Sequence, residues 1–174
     1  PVPPRLALRE APYPEINEES KRFCGRGISK QAFYLLPKIR EAESLLSRAD
    51  VSVSQWLETH PELCFWALNS GVAMQHNKKT EMGLADRLHA LSSSSMGEDV
   101  VALYERFAAE IPRSHCQRDD ILDALVCGLV ASLDDADRGF VPCGPPECDA
   151  QGLTMRICYP KINRLAEVQC SDGS

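Results

Sequence analysis

The segment DDILDALVCGLVASLDD, residues 119–135, restricts the fold of this chain more than any other stretch. It has the length of an α-helix, and apolar residues lie on nearly every side of the helix that it would form. Such a helix has no polar face to turn toward water. The sequence therefore predicts a buried helix that other elements must cover.

Acidic residues lie at the start of this helix and also inside it. Asp123 stands between Leu122 and Ala124. Asp119 and Asp120 precede it by four and three residues, so each shares a helix face with Asp123. A carboxylate among apolar side chains needs a partner or a cation. An N-cap role would account for either Asp119 or Asp120, since Asp is a common N-cap, but it would not account for Asp123.

A second polar group lies at a predicted strand-to-helix junction. Residues 51–58, VSVSQWLE, alternate as a strand does, and Pro61 opens a short apolar helix, PELCFWALN. Glu58 then lies at the strand end, where open α/β sheets present their sites. Glu62 lies in the first helical turn, where a negative charge is favoured without any further role. His60 is a candidate metal ligand, a general base, or a residue that fixes the turn.

Carboxylates from these two elements have the chemistry of a divalent-metal site. The candidate ligands are Glu58, Asp119, Asp120 and Asp123. Mg²⁺ and Mn²⁺ bind hard oxygen ligands, and a few carboxylates leave positions open for water and phosphate. Two such ions about 3.5 to 4 Å apart can activate water and stabilise the leaving oxygen in phosphodiester hydrolysis. The catalytic candidates within this set are Glu58, Asp120 and Asp123.

Three lysines are candidate phosphate contacts. Lys78 and Lys79 lie in NKKT, and Lys38 lies in PKIRE. Paired lysines in a loop are more often only solvated. The set of possible substrate contacts around the carboxylates therefore comprises these lysines together with His60 and Glu62.

Charge and composition limit the partners that this chain can have. The 174 residues carry a formal net charge of −6 with a pI near 5.2. Bulk electrostatic binding of nucleic acid needs clustered Lys and Arg, so any nucleic-acid contact would be local or metal-mediated. No segment has the roughly 20 apolar residues of a membrane span, and no signal segment opens the chain. We therefore expect a cytoplasmic protein without a membrane partner.

Eight cysteines are scattered along the chain, several of them inside apolar helical patterns. This distribution favours reduced, mostly buried thiols over a disulfide framework. Cys143 and Cys148 form a C-x4-C pair, but a structural zinc site needs a second close pair, which the sequence lacks.

The other segments predict a mainly helical chain. Helices are expected at about 15–23, 30–48, 80–91 and 98–110, with Ser29 as an N-cap and Pro37 as a kink or a restart. A loop is expected at 137–152, and LTMRICYP, residues 153–160, predicts a final strand.

Five motifs, in this order, resemble the DUF429 family: SKQAFYLLPKIRE, ETHPELCFWALN, NKKTEMG, RDDILDAL and GLTMRICYP. That family is a group of predicted nucleases with an RNase H-like fold, and the resemblance covers roughly residues 1–160. It implies a single helix-rich α/β domain over 1–162 with a flexible tail at 163–174. It also implies that Glu58 matches the acidic residue of the family's fourth strand, and that Asp120 or Asp123 matches that of its last helix.

The N-terminal section of the family pattern, with its first strand and Asp, has no counterpart in this sequence. We therefore expect an RNase H-like sheet that lacks its first strands. Either the sequence is a fragment or a processed product, or a homo-oligomer or another partner chain supplies these strands, or the protein has lost catalysis. The function implied is that of a Mg²⁺- or Mn²⁺-dependent nuclease. The alternative is a non-catalytic interaction or regulatory domain of the same fold, completed by a partner chain through strand addition.

Overall fold

The computed structural model describes residues 4–48, 50–52, 55–94, 97–149 and 151–162. The chain divides into two compact units, Pro1–Trp56 and Leu57–Ser174. The predicted tail at 163–174 lies outside the described residues, and a single domain over 1–162 stays a prediction. No helix in the described part of the chain is long and apolar enough to cross a membrane.

The first unit consists of a 3-10 helix, Arg5–Leu8, and two α-helices, α1 (Tyr13–Cys24) and α2 (Lys30–Leu46). The predicted N-cap of α2 is confirmed, because Ser29 Oγ accepts a hydrogen bond from the backbone N–H of Ala32 at 3.1 Å. The predicted alternative of a restart at Pro37 is wrong, because helix α2 continues through this residue. A small apolar core holds this unit together and consists of Ala7, Ile16, Ile28 and Leu36.

The second unit is built around the helix that the sequence predicted to be buried. Helix α6 (Arg118–Ser132) contacts α3 (Pro61–Leu68), α4 (Glu81–Ser92) and α5 (Gly97–Glu110). Its buried side chains join one core cluster, whose fully buried members include Phe65, Leu91, Leu122, Val126 and Val130.

One side of α6 nevertheless faces water. The residues along this exposed side are Asp120, Ala124, Gly128 and Ala131. Apart from the aspartate they are small, so they expose little apolar area, and the helix tolerates one open side despite its apolar composition.

A small sheet packs against α3 and α6. Strand β1 (Arg138–Val141) pairs antiparallel with β2 (Ile157–Pro160), and Arg138 is opposite Pro160. Thr59 forms a parallel bridge to Cys158, whose N–H donates to the carbonyl of Glu58 at 2.7 Å. The chain that leads into α3 is therefore attached to β2.

The helix predictions are confirmed, whereas one strand prediction is wrong. Of the predicted strand at 51–58, residues 51–52 and 55–58 form no strand, and 53–54 lie outside the described residues. Pairing is limited to the bridge at Thr59, since an alternating segment becomes a strand only where a neighbouring strand bonds to it. Strand β1 instead lies in the segment predicted as a loop. The helix-rich α/β class stands.

No disulfide joins the cysteines that the structure describes, but the prediction that most of them are buried is wrong. Cys64 and Cys158 are buried, whereas Cys24, Cys143 and Cys148 are exposed. The exposed thiols lie at a helix end and in the loop after β1, where no core forms around them.

Replacing Phe65 with Ala should lower the free energy of unfolding by about 3 to 5 kcal/mol, because the change removes a fully buried ring and leaves a cavity. Met82→Ala is the control in the same unit. Met82 is 60% exposed, and its truncation should change stability by about 0.5 kcal/mol or less. Urea unfolding followed by tryptophan fluorescence measures both, and equal losses would contradict this description of the core.

Candidate functional site

Lys78 joins two carboxylates of α6. Its Nζ lies 2.6 Å from Oδ2 of Asp123 and 3.8 Å from Oδ2 of Asp119. The Asp119 side chain is 9% exposed and that of Asp123 is 22% exposed. The ammonium therefore supplies a counter-charge where little water is present. It is the partner that the apolar surroundings of Asp123 require.

The first turn of α6 fixes the position of these carboxylates. Gln117 is the N-cap, and its backbone N–H donates to Oδ2 of Asp120 at 3.1 Å in a capping box. The prediction of Asp119 or Asp120 as N-cap is therefore wrong, because the N-cap lies two residues before Asp119 and three before Asp120. Asp119 lies among the free N–H groups of the first turn, which favour its negative charge. Asp123 follows one turn later on the same face.

A tight turn before α4 presents Lys78. The N–H of Lys79 donates to Oδ1 of Asn77 at 2.9 Å, and the N–H of Thr80 donates to the Asn77 carbonyl at 2.9 Å. Oγ1 of Thr80 then accepts a hydrogen bond from the N–H of Gly83 at 3.1 Å and caps α4. The backbone on both sides of Lys78 is thus held in place.

Helix α4 packs directly on this turn. A Cβ at position 83 would collide with the carbonyl of Asn77, so only Gly83 permits the close approach. One turn further, Nη1 of Arg87 donates to the carbonyl of His76 at 3.2 Å and to that of Gly83 at 2.9 Å. The position of the Lys78 turn therefore depends on Gly83 and Arg87.

Arg87 also binds α3 through Glu62. Its Nη2 lies 2.7 and 2.8 Å from the two carboxylate oxygens, and its Nε lies 3.1 Å from Oε1. The arginine is 3% exposed, and its guanidinium lies 5.6 Å from the ring centre of Phe65. Glu62 therefore has a structural role beyond the start of α3, since it neutralises a buried cation.

These residues form one group, called the Lys78 cluster below: Glu62, Lys78, Arg87, Asp119 and Asp123. Three carboxylates share two cations, so the cluster carries one excess negative charge. Oδ1 of Asp123 is buried and has no hydrogen-bond partner among the described residues. The hydrogen bond to Asp123 raises the pKa of Lys78, with burial acting against it, and the lysine stays charged at neutral pH.

Buried thiols lie close to the junction between the sheet and α3. Oγ1 of Thr59 is 3.1 Å from Sγ of Cys64 and donates a hydrogen bond to the carbonyl of Cys158 at 2.8 Å. Burial raises the pKa of Cys64 to about 11, and it also raises the pKa values of Cys127 and Cys158. These thiols are protonated at neutral pH, so they are packing groups and not nucleophiles.

The remaining predicted ligands are not brought into the cluster as a metal-binding group. Glu58 and His60 are exposed at the start of α3, and the Asp120 carboxylate caps α6. Across the described ranges, no three His, Cys, Asp or Glu side chains converge to hold a metal ion. The structure thus joins Asp119 and Asp123, through Lys78, and leaves the ligand roles of Glu58 and Asp120 as predictions.

The other two candidate lysines have different surroundings from Lys78. Lys79 is exposed on the same turn. Lys38 belongs to α2 in the first unit, where its Nζ lies 3.1 Å from Glu41 and both side chains are mostly exposed. Of the three predicted phosphate contacts, Lys78 is the one that contacts the α6 carboxylates.

Sequence reasoning missed Arg87 and the close approach at Gly83. A signal for Arg87 exists, because helical spacing places it on the apolar face of α4 with Leu84 and Leu91. A cation on an apolar face requires an acidic partner elsewhere. That the partner is Glu62 follows only from the packing of α3 against α4.

The second unit is a helix-rich α/β unit. Its buried helix α6 carries two neighbouring carboxylates, Asp119 and Asp123, which are candidate ligands for a cation. The family described as "Protein of unknown function (DUF429)" matches residues 1–147, and the chain belongs to that family. This match confirms the resemblance carried by the first four sequence motifs, whereas GLTMRICYP lies beyond the matched residues. No curated protein and no solved structure matches the chain.

Replacing Arg87 with Met should lower the free energy of unfolding by about 2 to 4 kcal/mol, because Glu62 and two carbonyls lose their buried donor. Arg87→Lys should restore only part of this loss, since lysine cannot form the forked pair. Arg113→Met is the matched control, an exposed arginine of the same unit. Urea unfolding of the three variants provides the comparison, and a neutral Arg87→Met would contradict the anchoring role.

Stability should fall in alkaline solution as the Cys64 thiol ionises. Burial raises the pKa of this thiol from its ordinary value of 9.0 to about 11, so the contribution of the thiol to stability is complete below pH 9 and is lost as the pH rises toward 11. Between these pH values the wild type should lose about 2 kcal/mol more than Cys64→Ala. Cys148→Ala, which removes an exposed thiol, should behave as the wild type does. Unfolding curves at several pH values measure the difference, and parallel losses in all three proteins would contradict it.

Proposed function

We propose that the protein is a divalent-cation-dependent hydrolase of phosphodiesters that acts on nucleic acid, and that Asp119 and Asp123 hold its Mg²⁺ or Mn²⁺ ion. The observation that carries the proposal is the buried Oδ1 of Asp123, which has no hydrogen-bond partner among the described residues. A buried carboxylate oxygen without a partner costs free energy, and a cation removes that cost.

The charge balance of the Lys78 cluster supports a cation at this place. Arg87 and Glu62 neutralise each other through a forked pair. Two aspartates then share the single charge of Lys78. An added cation would meet one excess negative charge in a region that water screens poorly.

The ligands present fit a magnesium-type site. Mg²⁺ is usually bound by one or two protein carboxylates, with water and substrate phosphate in the remaining positions. Asp119 and Asp123 provide two carboxylates on adjacent turns of one rigid helix. The ion, when bound, activates water and neutralises charge on the phosphate. The absence of a three-residue ligand group in the described part of the chain is compatible with this mode of binding.

The chain's own residues would have separate tasks in this proposal. Asp119 and Asp123 hold the ion, and the ammonium of Lys78 binds an anionic oxygen of the substrate. Arg87 keeps the turn that carries Lys78 in position. A two-metal mechanism would need Glu58 and Asp120 as further ligands. Glu58 is exposed before α3, and Asp120 would have to give up its capping bond to Gln117.

The RNase H-like fold belongs to the same proposal. Its support is the position of β2, which pairs with β1 and, by a parallel bridge, with Thr59 just before α3. Further strands from a partner chain or a second copy would complete such a sheet, because strand addition satisfies the free N–H and C=O groups of an edge.

A second candidate function follows from the Lys78 contact itself. Because Lys78 already partners Asp123 at 2.6 Å, the cluster could serve stability alone. The protein would then be a non-catalytic interaction or regulatory domain of the same family. The two functions make different predictions. Removal of Asp119 or Asp123 would abolish cleavage by a nuclease, whereas a non-catalytic domain would have no cleavage to lose.

Asp123→Asn and Asp119→Asn should each abolish Mn²⁺-dependent cleavage, with a loss of about 100-fold or more, since even outer residues of metal sites contribute 10- to 100-fold. Asp99→Asn is the matched control, because Asp99 is an exposed aspartate of α5. Cleavage of fluorescent single-stranded RNA, DNA and an RNA–DNA hybrid measures activity. Cleavage that survives Asp123→Asn would contradict the assignment, and a wild type inert on all three substrates would favour the non-catalytic candidate.

A further inference from the structure

We infer that Lys78 is a tethered cation that a divalent ion displaces from Asp123, and that the displaced ammonium then binds a phosphate oxygen of the substrate. The inference rests on the proposed function. It adds that the metal ion must displace Lys78 and that metal and phosphate-bearing substrate therefore bind cooperatively.

The contact geometry makes the Lys78 ammonium and a divalent ion compete for the same carboxylates. Nζ of Lys78 lies 2.6 Å from Oδ2 of Asp123 and also faces Asp119 at 3.8 Å. A divalent ion held by the same two carboxylates would lie close to the ammonium, and like charges at that separation repel strongly where water is scarce. Occupation of the site by metal therefore requires Lys78 to move away.

The structure allows Lys78 to move while its backbone stays in place. Its side chain is 34% exposed, and its flexible stem gives the ammonium several positions. The turn itself is held by Asn77 and Thr80, and it packs on Gly83. Displacement of the ammonium thus needs only a change of side-chain rotamer.

Arg87, the other cation of the cluster, is not free to exchange. It is 3% exposed and donates five hydrogen bonds, three to Glu62 and two to backbone carbonyls. Breaking this set would leave several buried groups without partners. Lys78 is therefore the exchangeable charge, and Arg87 is the fixed one.

The displaced ammonium stays within reach of the ion, because the backbone of Lys78 does not move. A phosphate group bound to the ion places its free oxygens there, and an ammonium that has lost Asp123 gains a new anionic partner. By linkage, the anion that stabilises the displaced lysine raises the affinity for metal, and metal raises the affinity for the anion.

The test is the Mn²⁺ affinity of four proteins, measured by calorimetry at low ionic strength with and without dimethyl phosphate as a soluble phosphodiester. The proteins are the wild type, Lys78→Met, Lys79→Met and Asp123→Asn. Lys78→Met keeps the apolar stem without the charge, and Lys79→Met makes the same change at the exposed neighbour. Lys78→Gln replaces Lys78→Met if a thermal melt shows that the methionine variant is unfolded.

Without the anion, Lys78→Met should bind Mn²⁺ at least about 5-fold more tightly than the wild type, the lower end of typical coupling between sites. Lys79→Met should match the wild type, and Asp123→Asn should not bind. Dimethyl phosphate should raise the affinity of the wild type but not that of Lys78→Met.

Two results would overturn the inference, and they are distinct. If Lys78→Met binds Mn²⁺ no more tightly than the wild type while Asp123→Asn loses binding, the metal site stands and the displacement of Lys78 does not. If none of the proteins binds Mn²⁺ saturably, both the metal site of the proposed function and this inference fail.

Discussion

The contact between Lys78 and Asp123 allows a helix that contains a carboxylate to lie at the centre of the second unit. Helix α6 contacts α3, α4, α5 and β2, so it cannot turn its acidic face fully to water. An isolated charge in that position would oppose folding. The lysine, which lies on a turn between α3 and α4, offsets part of this cost and joins elements that are distant in sequence.

A second ion pair makes the first one possible. Arg87 and Glu62 connect α4 to α3, and the same guanidinium holds the carbonyl of His76, two residues before Lys78. The two pairs differ in mobility. The guanidinium of Arg87 is buried and forms a forked pair with Glu62, whereas Lys78 is 34% exposed and donates one hydrogen bond, to Asp123. This arrangement is suited to binding a cation. The Arg87–Glu62 pair fixes the positions of the helices, while the charge of Lys78 beside Asp123 can be replaced by that of the cation.

Much of this arrangement could be predicted from local sequence. Cap residues and apolar periodicity gave the helices, and the apolar neighbours of Asp123 predicted that it needs a partner. The N-cap of α6 was misassigned because Asp is a frequent N-cap, whereas Gln117 with Asp120 forms a capping box. Periodicity alone does not reveal which residue satisfies a capping position.

Contacts distant in sequence were the ones that could not be predicted. Strand β1 was missed because its pairing with β2 depends on residues about twenty positions away, and on Gly139 lying against the ring of Tyr159. The prediction of a strand before α3 was wrong for the same reason, since an alternating sequence does not show whether a partner strand lies beside it. The link between Arg87 and Glu62 also depends on how helices pack.

The most direct test of the account is a Mn²⁺ titration of the ¹⁵N-labelled protein followed by NMR, because a bound paramagnetic ion broadens the signals of nearby amides. The account predicts that the amides of Lys78, Asp119 and Asp123 broaden first and to a similar extent. Broadening centred on the exposed acidic segment 134–137, with sharp signals from α6, would contradict it.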